Sequence, residues 1–571
     1  MNVLFVILGC AAILFAAYIV YGRFLTKKIF DLDDKRKTPA VELEDGQDFV
    51  PAKKSMLLGQ HFSAISAAGP INGPILAAIA FGWAPALLWC LIGSIFIGGV
   101  HDMGSLIASV RYKAKSITEV IRRNVSDRAW VLFMIFIWIT LVYVIIAFTD
   151  ITASSFVGNV ILENGGVVLG AGIASSSIMY LILPVIMGLL MRKTNLSEGK
   201  AVLIFLPLVG VAIWAGQYLP LTLPFGDIAL QQKTWGILIL VYCLIASMVP
   251  MWLLLQPRGA LGGYFLYIVI IVAALGLIFG QYTVQYPAFV NLNPDGSLGD
   301  HFWTPMFPVL FITVACGACS GFHALVSSGT TSKQLRCETD ARPVAYGGML
   351  LEGMMAAISI ACVMIIAVDS ETIRKAPNFI YATGIGNFMS LIGIPAVFGI
   401  SFGLMAFTTF VYDTLDVCTR LGRYIIEELT GWKGFRGKFM ATLLTAGIPI
   451  FFIFQSSTDA SGDVIPAWRL FWNTFGASNQ LLAALALIGI SIWLKNTGKY
   501  KWSWLISFIP ALFMFLMSNW ALVSAIHTGW ILRKGHVSIP IISLILLILS
   551  VWIAVETFIA MTKGKEQKKA V

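Results

Sequence analysis

Gly59-Gln60-His61-Phe62-Ser63-Ala64-Ile65-Ser66-Ala67-Ala68-Gly69-Pro70-Ile71-Asn72-Gly73-Pro74-Ile75-Leu76 lies in an apolar segment long enough to cross a bilayer, yet it is poorly suited to an unbroken helix. Pro70 and Pro74 each remove a backbone donor, and a proline ring crowds the turn before it. Gly69 and Gly73 tolerate dihedral angles that a helix does not use. Backbone freed at membrane depth persists only where protein or a water-filled cavity satisfies it. A helix interrupted near the midplane is the best sequence pointer to a transporter's binding site. A proline-kinked helix with no ligand is the plainer alternative. Gly69-Pro70 followed at once by Asn72-Gly73-Pro74 favours the binding site.

The rest of the chain sets this stretch in a membrane. Of 571 residues, 58% are hydrophobic and 12% charged, with mean hydropathy +0.84; soluble domains carry about 25% charged residues. Apolar runs recur end to end, so the chain reads as an all-α polytopic membrane protein with the lipid bilayer as its partner. The net charge of +10 does not indicate nucleic acid, because the basic residues fall between the apolar runs. Of the eight Cys, Cys10, Cys90, Cys243 and Cys362 sit in apolar segments as small hydrophobes. Cys316 and Cys319 form a Cys-x-x-Cys without a second such pair, in a Gly/Ala/Ser-rich segment, and read as close helix packing rather than metal or redox chemistry. Met1 to Leu25 is one apolar run without a basic start, which reads as a retained helix rather than a cleaved signal.

Fifteen spans are expected, at about 3–25, 55–80, 84–110, 129–159, 172–192, 199–219, 233–255, 261–283, 304–329, 344–368, 393–423, 438–456, 467–494, 502–520 and 538–561. Segment 376–391 is too short and polar to span and reads as interfacial or re-entrant. With the N-terminus outside, 33 of the 39 Lys and Arg fall on the cytoplasmic side; the exceptions are Lys233, Arg374, Lys375, Arg469, Arg533 and Lys534. This split predicts an external N-terminus and a cytoplasmic C-terminus in a cell (inner) membrane. Loop 26–54 is near neutral and reads as a solvated connector; the tail Lys563–Lys569 is basic and suits anionic headgroups.

Span nine is interrupted too: Ala315-Cys316-Gly317-Ala318-Cys319-Ser320-Gly321-Phe322-His323 is followed by Ser327-Ser328-Gly329-Thr330-Thr331-Ser332. It enters from the side opposite to span two, as an inverted repeat requires. The expected organisation is an extra helix at 1–25, a loop at 26–54, a first repeat at 55–219 and an insertion at 220–303. A second repeat at 304–494 and a C-terminal pair of helices with tail at 495–571 complete it. Helix N-termini at the two breaks offer unpaired N–H groups to a carboxylate, so Ala68, Gly69, Pro70, Asn72, Gly73, Gly317, Ser320 and Gly321 are the expected substrate-binding residues. The substrate would be a small carboxylate or the C-terminus of a short peptide.

Ionisable residues within a membrane are costly and functional by default. His61, Asp102, His323, Glu352 and Asp413 each lie seven to ten residues from a basic residue at the cytoplasmic end of their own helix. They therefore sit about 10–15 Å deep at 1.5 Å per residue, and are expected to form one polar layer. A carboxylate in a low-dielectric site carries a proton readily, and histidine relays one. Asp413 is the first choice for the coupling group, then Glu352 and Asp102, with His61, His101 and His323 beside them. Static pairs are the alternative, notably Asp416 with Arg420 at i+4. Thr408 and Thr409 could instead hold Na⁺ with carbonyls freed near Ala67–Asn72. Asp150 belongs to the outer entrance or faces water there. No cofactor is expected beyond a transported H⁺ or Na⁺, no metal site, no enzyme motif and no P-loop; the oligomeric state stays open.

Phe49-Val50-Pro51, Gly59-Gln60-His61-Phe62, Ala68-Gly69-Pro70-Ile71, Gly73-Pro74, Phe81-Gly82-Trp83 and Gly98-Gly99-Val100-His101-Asp102 together resemble the carbon starvation protein A (CstA) family, as do Ser327–Gln334 and Tyr412–Leu415. Gln60 departs from the pattern, standing where the family usually has a second His. The resemblance implies a LeuT-like fold and an inner-membrane transporter active in nutrient starvation, with peptides or pyruvate as substrates. The combined expectation is an ion-coupled symporter with a five-plus-five inverted repeat and extra helices. The alternative is a nutrient sensor or channel on a transporter-like fold.

Overall fold

The computed structural model describes residues 1–46, 49–161, 165–194, 196–250, 252–290, 306–314, 316–454, 457–458, 464–532 and 536–562. The tail Lys563–Lys569, Arg533, Lys534 and Ala315 lie outside these residues.

Long helices dominate, because a chain in lipid must satisfy its backbone within itself. Asn2 caps the first, α1 (Val3–Phe24), by accepting from the Leu4 N–H. The expected second span is two helices, α2 (Lys54–Ile65) and α3 (Gly69–Phe81), bent by 48°. Then follow α4 (Trp83–Arg111), α5 (Asp127–Val157), α6 (Gly170–Thr194), α7 (Glu198–Tyr218), α8 (Ile228–Met248) and α9 (Leu255–Gly280). The expected ninth span is also two pieces, α10 (Val309–Thr313) and α11 (Gly321–Gly329). The rest are α12 (Gly347–Met364), α13 (Pro377–Ser390), α14 (Ala396–Thr430), α15 (Gly434–Phe454), α16 (Ala467–Thr497), α17 (Leu505–Ile526) and α18 (Ser538–Thr562). Among the described residues, 13 continuous helices are long and apolar enough to cross a membrane, and α2–α3 makes a fourteenth span. The fifteenth expected span is the α10–α11 segment, whose two pieces are each too short to cross alone.

Six continuous spans separate the two broken ones, α4 to α9, so α2–α3 and α10–α11 traverse in opposite senses. The packing has the corresponding symmetry. Helix α5 lies against α14, and each also packs on both α8 and α15. Helix α9 joins α14 and α2 as α16 joins α5 and α11. Helices α6 and α7 pack chiefly on each other.

Segment 376–391 forms neither a span nor a surface piece. Its helix α13 is largely buried and lies along α14 and α9. Small residues make this possible: a Cβ on Gly403 would come within 2.8 Å of the Ala382 Cα, and one on Gly276 within 2.3 Å of the Phe388 Cβ.

The 26–54 loop is a strap rather than a free connector. Glu338, buried, accepts from Arg111 at 3.3 Å, Arg36 at 3.2 Å and the Asp33 N–H at 3.1 Å. Ala52 N–H donates to the Gln334 carbonyl at 2.9 Å. Removing one partner of a buried charge network costs about 3–5 kcal/mol. Glu338→Ala should therefore lower the melting temperature by several degrees and speed protease cleavage within 31–54; an unchanged cleavage rate would show that Glu338 does not hold the strap.

A candidate carboxylate and cation site

The first break falls earlier than the proline and glycine content suggests. Helix α2 ends at Ile65, and Ser66–Ala68 form the unwound link. Pro70 occupies the first turn of α3, where a missing N–H costs nothing. Asn72, Gly73 and Pro74 are helical, which corrects their expected place in open backbone. Asn72 is fully buried, and its amide has no hydrogen-bond partner among the described residues.

The second break runs from Val314 to Ser320, with Gly317 at φ +79°. The two breaks meet. A Cβ on Gly69 would lie 2.3 Å from Cys316 Cβ, and one on Gly317 would lie 3.5 Å from Pro70 Cα. Cys316 thus belongs to unwound backbone, not to the small-residue helix expected for it. At the start of α11, Asn479 accepts from the Phe322 N–H at 3.1 Å and bonds Ser320 Oγ at 3.0 Å. That helix end is capped by a side chain 157 residues away, which no local pattern points to.

Beside this junction lies a chain of buried ionisable groups. His101 Nδ1 is 2.9 Å from Asp102 Oδ1, and His323 Nδ1 is 2.9 Å from Asp102 Oδ2. His323 Nε2 is 3.2 Å from Glu352 Oε2. The other Glu352 oxygen accepts from the Gly317 N–H at 3.0 Å, tying the chain to the break. Cys316, His323 and Glu352 each place a ligand-type atom within 4.8 Å of the others. A carboxylate behind a ligating histidine is a common metal-site arrangement, so these three residues could hold a cation.

A second cluster lies across α2. Arg258 of α9 pairs through Nε with Asp413 and through Nη1 with Asp416 of α14, the latter at 2.5 Å. Tyr242 donates to Asp416 Oδ2 at 3.1 Å, and Ser63 Oγ donates to Asp413 Oδ2 at 2.5 Å. Gly262 permits this approach, since a Cβ there would be 2.3 Å from Ser63 Oγ. Arg258 is wholly buried. The positive-inside count had placed it in a cytoplasmic loop. Its one sequence signal was being the sole charged residue between Lys233 and Asp295.

The expected single layer is therefore two clusters, with His61 between them. His61 Nδ1 is 2.9 Å from Thr331 Oγ1, and its ring lies near Gly348 of α12. A cavity of about 20 Å³ lies among Gln60, His61, Thr331 and Asp413, room for roughly one water. The expected Asp416–Arg420 pair does not form. Arg420 donates instead to the Ala246 and Val249 carbonyls, each at 2.8 Å. Thr408 bonds the Met405 carbonyl at 3.0 Å and Ser177 at 3.2 Å, while Thr409 Oγ1 is buried without a partner among the described residues. Asp150 is buried, accepting from Gln232 at 2.9 Å and the Trp468 N–H at 2.8 Å, so it does not face water.

The family model described as carbon starvation protein CstA matches residues 2–377 and 367–521. The chain belongs to the CstA family. It is 32% identical over 580 residues to the peptide transporter CstA of Helicobacter pylori, covering 89% of this chain and 80% of that one. It is 32% identical to the peptide transporter CstA of Bacillus subtilis, covering 91% and 90%. It is 28% identical to the pyruvate/proton symporter BtsT of Escherichia coli, covering 91% and 81%. Among solved structures it resembles a manganese transporter of Eremococcus coleocola, with TM-score 0.51, 13% identity, and 92% and 99% of the chains covered. It also resembles MhsT in complex with L-phenylalanine, with TM-score 0.51, 12% identity, and 82% and 99% covered. These are LeuT-fold transporters, and this CstA-family chain shares that fold.

Proposed function

We propose that this CstA-family protein is a proton-coupled symporter that takes up pyruvate-like carboxylates or short peptides through the inner membrane. The meeting of two oppositely directed broken helices beside buried acid–histidine chemistry carries the reading. Charge balance supports proton coupling. The chain His101–Asp102–His323–Glu352 sets two imidazoles against two carboxylates, so it can take up or give up a proton, or hold a cation. Thr408 and Thr409, with carbonyls near Ala67, are the Na⁺-binding alternative. The N-terminus lies outside and the C-terminus inside, in accord with the distribution of Lys and Arg.

The packing symmetry supports a different repeat division from 55–219 with an insertion at 220–303. In the division we favour, α8 and α9 complete the first repeat as α15 and α16 complete the second, and α6–α7 are the insertion. Arg258 then belongs to the repeat core.

Uptake of labelled pyruvate and dipeptides into vesicles with an imposed proton gradient tests the function. Uphill accumulation of one of them is expected. Downhill flux alone would point to a channel, and no flux to a sensor.

A further inference from the structure

We infer that Arg258 is the receptor for the substrate's carboxylate, and that Asp413 holds this place until a proton releases it. The inference rests on the symport reading above. Arg258 offers a planar fork of donors suited to carboxylates. Asp413 and Asp416 engage Nε and Nη1, while Nη2 is buried without a partner among the described residues. The group is thus a guanidinium carrying two carboxylates, with the Nη2 nitrogen and its two N–H donors unused among the described residues.

One guanidinium and two carboxylates carry a net charge of −1, which is costly in this setting. When Asp413 takes a proton, an O–H bond forms and the Asp413 carboxylate charge is lost. The Nε–H then donates to an incoming substrate carboxylate. The cluster still carries −1, so a monocarboxylate and one proton enter together without changing the buried charge. No comparable neutral exchange is open to an uncharged substrate.

The surroundings provide both routes. The titratable and charged groups around Asp413 are Arg258 from α9, Tyr242 from α8, Tyr180 from α6, His61 from α2 and Asp416 on its own helix. His61 shares the one-water cavity with Asp413 and can pass it a proton. Pro257 and Ala260, flanking Arg258, line a vestibule of about 920 Å³ whose wall carries Arg192, Arg420, Arg423 and Lys438 against Asp45 and Glu427, a net positive lining. An anion released from Arg258 enters a basic vestibule. Ser63, which bonds Asp413, stands one turn before the α2 break. Release of Asp413 from Arg258 therefore alters the Ser63 contact between α2 and α14, linking occupancy to the broken helix.

The test is binding of labelled pyruvate, with its uncharged amide as control, to the full-length protein in nanodiscs. Wild type should bind pyruvate more tightly as pH falls, and the amide weakly at every pH. Arg258→Gln should weaken pyruvate binding about 100-fold or more, and Arg258→Lys about 10-fold, because a charged but non-bidentate partner remains. Asp413→Asn should bind pyruvate with no pH dependence and support exchange but not accumulation. A folded Arg258→Gln variant that binds pyruvate as well as or better than wild type would show Arg258 to be a latch only. Should Arg258→Gln fail to fold, persisting pH dependence in Asp413→Asn overturns the proposal by itself. If wild type accumulates no substrate under any gradient, the symport reading fails instead.

Discussion

Gly69→Ala should abolish gradient-driven uptake, and Cys316→Gly should restore it in the double variant. The added methyl would sit 2.3 Å from both Cβ and Sγ of Cys316, inside the distance at which something must move. Elsewhere in a core such overpacking costs about 1–3 kcal/mol. Here it falls where the two interrupted helices touch, so the expense appears in the geometry of the site. The clash is with a side chain; Cys316 Cα is 3.6 Å away, so removing the whole side chain, Cβ included, clears the space. Gly317→Ala should be lost without such rescue. Its methyl meets Ala356 Cβ at 2.9 Å, but its φ of +79° is unfavourable for any L side chain whatever the space. Uptake into vesicles and melting temperature read both outcomes. A fully active Gly69→Ala variant would show that the breaks need not touch for transport.

Asp102→Asn should lose proton-driven accumulation and fold less stably. Asp102 uses one oxygen for His101 and the other for His323, both at 2.9 Å and fully buried. An amide presents one acceptor and one donor, so it cannot accept from both rings. Breaking a buried ionic contact this way costs about 3–5 kcal/mol. Of its two carboxylate partners His323 then keeps only Glu352, so the chain has one carboxylate fewer to bind a proton. The measurement is uptake against a proton gradient beside substrate counterflow, which needs no gradient. Loss of the first with survival of the second is the expected pattern. Normal accumulation in a folded Asp102→Asn protein would remove this chain of groups from the coupling path.

Much of this could be read in advance because lipid leaves few choices. Apolar length specifies spans, the Lys/Arg split implies their alternation, and Gly-Pro-rich stretches mark where helices fail. Depth counted from the nearest basic residue picked out Asp102, His323, Glu352 and Asp413 as interior groups, and all four are buried and paired. Partners were another matter. Glu352 finds Gly317 at a sequence distance of 35 residues, Asp102 finds His323 at 221, and Arg258 finds Asp413 at 155.

The sequence by itself determined that the chain crosses the membrane many times and that two of its spans are interrupted in opposite senses. It also picked out Asp102, His323, Glu352 and Asp413 as interior charges, but not Arg258. Each of these follows from local chemistry along one segment: the cost of unpaired backbone and of charge in hydrocarbon. The tertiary structure alone decided that the breaks touch, that the interior charges divide into two clusters, and that Arg258 joins one of them. Those outcomes depend on which helix faces lie together, and the close approach of Gly262 to Ser63 or Gly69 to Cys316 is a property of two segments that neither encodes alone.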